Sequence, residues 1–83
     1  MNEYKPADMQ AHDRALTAAN EMWRDVFLEN ASSDPEEYYK ATHLAFEKAR
    51  QAYTMRYMEL TNCSQDEAER AAWWAADPAN TSK

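Results

Sequence analysis

Apolar residues recur at three- and four-residue spacing along most of the chain, the period of amphipathic helices. The first such stretch predicts a helix over residues 6–29. Met9, Leu16, Ala19, Met22, Trp23, Val26 and Phe27 fall on one side, with Arg14, Thr17, Glu21, Arg24 and Asp25 on the other. Pro6 suits the first turn of that helix, and Asp8 suits the positive end of its dipole. A second helix is predicted over residues 35–61, with the stripe Tyr38, Thr42, Ala45, Phe46, Ala49 and Tyr53. It opens on Asp34-Pro35-Glu36-Glu37: a capping residue, a proline at the first helical position, and a carboxylate three residues after the cap. Asn62 is placed as its left-handed terminator. A third, short helix is expected over residues 65–76. Ser64-Gln65-Asp66-Glu67 forms a second capping box there, with Cys63 and Ala68 as a staple and Asp77-Pro78 as the stop. Residues 78–83 read as a frayed tail.

Asn30-Ala31-Ser32-Ser33 is too short a connection for anything but antiparallel neighbours. Folding the chain about residue 32 sets Trp23 near Thr42, Ala19 near Phe46 and Leu16 near Ala49, large against small at each level. The row Ala41, Ala45, Ala49 and Ala52 lets the two helices approach closely. Ala68, Ala72 and Ala75 give the third helix a smooth packing face, with Trp73 and Trp74 projecting to either flank. The expected fold is all-α: a long antiparallel helical hairpin plus a short third helix, three-helix bundle-like, in one domain over residues 1–83.

Composition sharpens this picture. The 45% hydrophobic fraction of the 83 residues is mostly alanine, with sixteen Ala but four Leu, one Val, two Phe and no Ile. Three Trp, five Tyr and five Met must therefore supply the bulk of a thin core. A small core of that kind favours self-association or a partner. The absence of glycine removes phosphate-cradling loops, nucleophile elbows and dinucleotide fingerprints, which need backbone geometry that glycine alone tolerates. A net charge of −6 argues against direct binding to nucleic acid or an anionic membrane. No window is apolar enough for a membrane span, and residues 1–10 lack an apolar signal core. The single Cys63 cannot form an internal disulfide, which favours a reducing compartment, so a cytoplasmic location is expected.

Candidate chemistry is sparse. His12 lies on the apolar side of the first helix and reads as an ordinary surface or boundary histidine. His43 and Glu47 share a face of the second, but two ligands do not make a metal site. Cys63 precedes a helix N-terminus with no adjacent base to activate it, and the serines are cap, loop or tail residues. No catalytic residue, metal or cofactor is expected. The surplus lies elsewhere: Leu44, Met55 and Met58 fall outside the hairpin stripe, and Tyr39 and Tyr57 sit on the opposite flank.

The expected function is a small acidic, non-enzymatic protein–protein interaction module, an inhibitor or adaptor. It would dock onto a larger cytoplasmic protein or complex with a basic surface. The expected contact residues are Tyr39, Leu44, Met55, Tyr57, Met58, Trp73 and Trp74, with the acidic Glu36, Glu37, Asp66, Glu67 and Glu69 around them. Small acidic helical proteins of phages and other mobile elements, including inhibitors of host nuclease systems, share this outline in size and charge alone. The alternative is a self-assembling structural protein in which the same aromatic and methionine residues pair two hairpins into a homodimer or larger bundle.

Overall fold

A computed structural model describes residues 5–77. They form three helices, α1 (Met9–Asn30), α2 (Pro35–Thr61) and α3 (Gln65–Ala76), with no strand among the described residues. The tail expected over residues 78–83 lies outside them. α1 and α2 make the long antiparallel hairpin. α3 folds back along α2 and meets α1 less extensively, with Trp74 against His12.

The helix boundaries follow from their caps. Asp34 accepts a hydrogen bond from the backbone N–H of Glu36 at 3.1 Å, and Ser64 accepts one from Glu67 at 3.2 Å. Asn62 ends α2 at φ 61, its N–H donating to the carbonyl of Met58. The reciprocal half of the first capping box is made differently from expectation: the N–H of Asp34 donates to Ser32 Oγ, two residues upstream, at 3.2 Å. Because Asp34 satisfies an otherwise orphaned donor, Asp34→Ala is expected to cost about 1 kcal/mol, while Asp34→Asn stays near wild type. Paired thermal melts of the two variants check this.

α1 begins later than the sequence pattern suggests. Asp8, in extended backbone, is its N-cap and accepts from the N–H of Ala11 at 3.1 Å, so Pro6 precedes the helix and is buried. The reason lies in the cap: a helix starting at Pro6 would have Lys5 in that position, with no side-chain acceptor.

Two alanine rows bring the hairpin together. Ala11, Ala15 and Ala19 are buried on α1. Ala41, Ala45 and Ala49 are buried on α2, where the row continues into Tyr53 and Tyr57. Each row steps by four residues, the spacing of one ridge on an α-helix. At 3.6 residues per turn such a row drifts by about 40° per step. The buried stripe of α2 therefore winds from the α1 side toward the place where α3 lies. Ala68, Ala71, Ala72 and Ala75 of α3 close the core there, over the ends of both rows.

Closing on alanine displaces larger side chains from the seam. Leu16 and Trp23 are half-buried against the core, but Met9, Met22, Tyr38 and Phe46, all expected inside, are exposed. Trp73 and Trp74 do project to opposite flanks of α3. The indole of Trp74 meets His12 of α1 edge-on at 5.3 Å, and the guanidinium of Arg50 of α2 lies 4.8 Å from the centre of the Trp73 ring. Cys63 is half-buried against the core, as a staple residue should be.

Candidate functional site

A polar pair is enclosed where the three helices meet. His12 is 4% exposed and Tyr53 1%, with Nδ1 and Oη 2.7 Å apart. Tyr57 stacks on Tyr53 at 5.7 Å and is buried as well. Burial holds the His12 imidazole below its ordinary pKa, because the interior disfavours its charged form; the nearby Asp13 carboxylate pulls the other way and loses. Burial likewise pushes Tyr57 up, against an opposing backbone interaction from Asp8. His12 is thus a core histidine and not the surface or boundary residue its composition suggested. The signal was present in the spacing: His12 stands four before Leu16 and seven before Ala19, on the packed side of α1.

The second histidine lies apart from this pair. His43 is exposed on α2, where its Nε2 lies 3.0 Å from the hydroxyl of Tyr39, one turn away. In an antiparallel hairpin His12 and His43 belong to opposite ends, so the two imidazoles do not converge. Among the described residues no group of three or more His, Cys, Asp or Glu side chains could hold a metal ion. No described helix is long and apolar enough to cross a membrane.

The second feature is a partly open cavity of about 140 Å³ at the C-terminal end of α3. Leu16, Ala19, Asn20 and Trp23 line it from α1, Phe46, Ala49, Arg50 and Tyr53 from α2, and Ala72, Ala75 and Ala76 from α3. It exists because α3 has 12 residues against 22 and 27 in the hairpin helices. At 1.5 Å per residue α3 spans only about 18 Å and leaves the loop-side half of the groove uncovered. An aromatic row continues from the cavity toward the loop. Trp23 stacks on Phe27 at 4.9 Å, and Phe27 meets Tyr38 edge-on at 5.3 Å. Phe46 and Trp73 are exposed beside it.

The residues expected to meet a partner do not gather into one patch. Tyr39 and Trp73 are exposed, on the flank of α2 that α3 shares. Leu44 and Met55 are exposed on another side of α2, eleven residues and about three turns apart, with Lys48 and Gln51 between them. Tyr57 is in the core, and Met58 and Trp74 are half-buried in packing contacts. Tyr57 is corrected from a contact residue to a structural one, because the winding of the buried row carries α2 positions 53 and 57 under α3. Glu36 and Glu37 are exposed at the loop end. Asp66 and Glu67 are exposed at the other end, where Glu69 accepts from Gln65 at 2.9 Å. The acidic groups thus form two separate sites. Trp23, Phe27, Tyr38 and Phe46 were assigned by their spacing to the hairpin interior. The paired four-residue alanine rows were the signal that the seam lay beside them.

Comparison of the chain with protein-family models, curated proteins and solved structures returns no match.

Proposed function

We propose that this chain is a non-enzymatic protein–protein interaction module that docks through the aromatic surface at the loop end of the hairpin. One observation carries the reading: the row Trp23, Phe27 and Tyr38, with Phe46 and Trp73 beside it, continues past the point where α3 stops covering the groove. Aromatic side chains dominate the energetics of interface centres, where each brings large area at a small cost in ordering. Glu36 and Glu37 stand at the same end and supply an acidic rim for a basic partner surface, steering encounter. An inhibitor or adaptor acting on a nucleic-acid-binding complex, of the kind mobile elements encode, is the finer reading that charge and size favour.

The test is a photo-crosslinking amino acid placed at position 46, with position 55 as the control, in cells that express the chain. A larger protein captured at 46 and not at 55 is the expected result. Charge reversal by Glu36→Lys and Glu37→Lys should then slow its association about tenfold at low salt and less at high salt. Crosslinks from 46 to a second copy of the chain, with a solution mass that grows with concentration, would replace this reading with the homo-oligomeric one. No crosslink and a monomeric mass would remove both.

A further inference from the structure

The cavity at the end of α3 contains one charged residue, and its state is unusual. Apart from Asn20 and the phenol of Tyr53 the rest of the lining is apolar, with Leu16, Trp23, Phe46 and Ala72 among it. Arg50 is half-buried at this cavity. Its guanidinium rests on the Trp73 ring, and its Nε is buried without a hydrogen-bond partner. Among the described residues the ion pair formed is Arg56–Glu59, on the exposed surface, and no carboxylate pairs with Arg50. Carboxylates are not scarce in this chain, which has fifteen Asp and Glu against nine Lys and Arg. A partly desolvated guanidinium with no counter-charge is a cost to the folded chain, and a carboxylate is the group whose geometry matches its fork of donors.

Volume and lining narrow the class further. A cavity of about 140 Å³ is close to the size that takes a single benzene ring. Trp23 and Phe46 offer it ring faces and edges, and the alanines leave the space unfilled. We propose that this cavity binds a small apolar carboxylate, one ring or one branched chain bearing a single acid group. The apolar part lies between Trp23, Phe46 and Ala72, and the acid lies toward Arg50. The site shares Trp23 and Phe46 with the docking surface proposed above, and its Arg50 rests on Trp73, but it is tested separately: a preference for acid over amide concerns the cavity and Arg50 and not the capture of a protein partner.

The test uses the whole chain and two probes of nearly equal shape, 3-phenylpropionate and its uncharged amide. Binding is followed by calorimetry and by the NMR signals of the tryptophan indoles. The acid should bind about tenfold more tightly than the amide, the ratio expected for one charge-assisted contact. Arg50→Gln should bring the two affinities together. Ala76→Leu, which adds bulk at the half-buried rim of the cavity and keeps the Arg50 charge, should weaken both probes. The wild-type ratio is informative even if Arg50→Gln does not fold. Equal affinities for acid and amide in the wild type would overturn the proposal. So would the lack of saturable binding by the acid up to about 10 mM.

Discussion

Ala45→Leu is expected to lower the melting temperature by 10 °C or more, an order-of-magnitude figure that follows from overpacking the α1–α2 seam. Ala45 is 0% exposed and sits in the middle of the buried α2 row, where the two helices close on methyl groups. Leucine and alanine differ little in helix propensity, so local preference does not account for the loss. The cost comes from forcing three extra carbons between helices that have no void to receive them, about 1–3 kcal/mol or more in a well-packed interior. For a domain of this size each kcal/mol moves the midpoint by roughly 4–8 °C. Leu44→Ala, one residue earlier on an exposed position, is the control and should move stability by less than about 0.5 kcal/mol. Circular dichroism melts of both variants decide the matter. A leucine at position 45 that melts with the wild type would mean that the helices are not held at alanine distance.

Acid should destabilise the fold before the carboxylates titrate, because of His12. Burial lowers the pKa of its imidazole in the folded state below the unfolded value of 6.5. The unfolded chain therefore binds more protons than the folded one between those two values, and stability rises with pH across that window. The contribution is present in full above the unfolded pKa. It is lost as pH falls through the window and levels off below the folded pKa. The groups facing the ring explain the direction. Tyr53 from α2 and Trp74 from α3 offer a hydroxyl and an indole but no negative charge, and the Asp13 carboxylate on α1 only partly compensates. Urea midpoints measured from about pH 8 to pH 5, above the usual carboxylate range, should fall steadily for the wild type. A His12→Gln variant should be less stable at pH 8 and much flatter in its pH dependence. An equal slope in the two proteins would assign the effect to other groups. Tyr53→Phe, which removes the hydroxyl 2.7 Å from Nδ1, should cost about 1–3 kcal/mol at neutral pH for the same buried pair.

Local signals read from the sequence translated well into helix ends. Asp34, Asn62 and Ser64 act where their side-chain chemistry placed them, since capping depends on a few neighbouring residues. The flanking positions of Trp73 and Trp74 also follow from helical spacing alone. What was harder to read is which of several apolar rows forms the seam. Spacing by size favoured Met22, Tyr38 and Phe46, whereas the chain closes on Ala15, Ala19, Ala41 and Ala45 and leaves the large residues at its flanks. That outcome is tertiary: close approach of two backbones is favoured over burial of any one bulky side chain once both helices carry matched small residues. The burial of His12, Tyr53 and Tyr57 follows from the same drift, because it places them under α3, an element distant in sequence. The cavity was not legible at all. It depends on the difference in length between α3 and the hairpin, and on where along α2 the short helix stops.

The buried alanine rows also determine how much freedom the chain gives up when it folds. Among the described residues, the buried core is made of ten alanines with Tyr53 and Tyr57. An alanine has no rotamers to freeze, whereas each buried leucine or isoleucine gives up about 0.5–1 kcal/mol of side-chain entropy at room temperature. A conventional interior of the same residue count would thus oppose folding by several kcal/mol that this one never incurs. The apolar area it buries is modest, but little disorder in the side chains stands against it. Most of the entropic cost of this fold falls on the backbone, the part that helix formation itself puts in order.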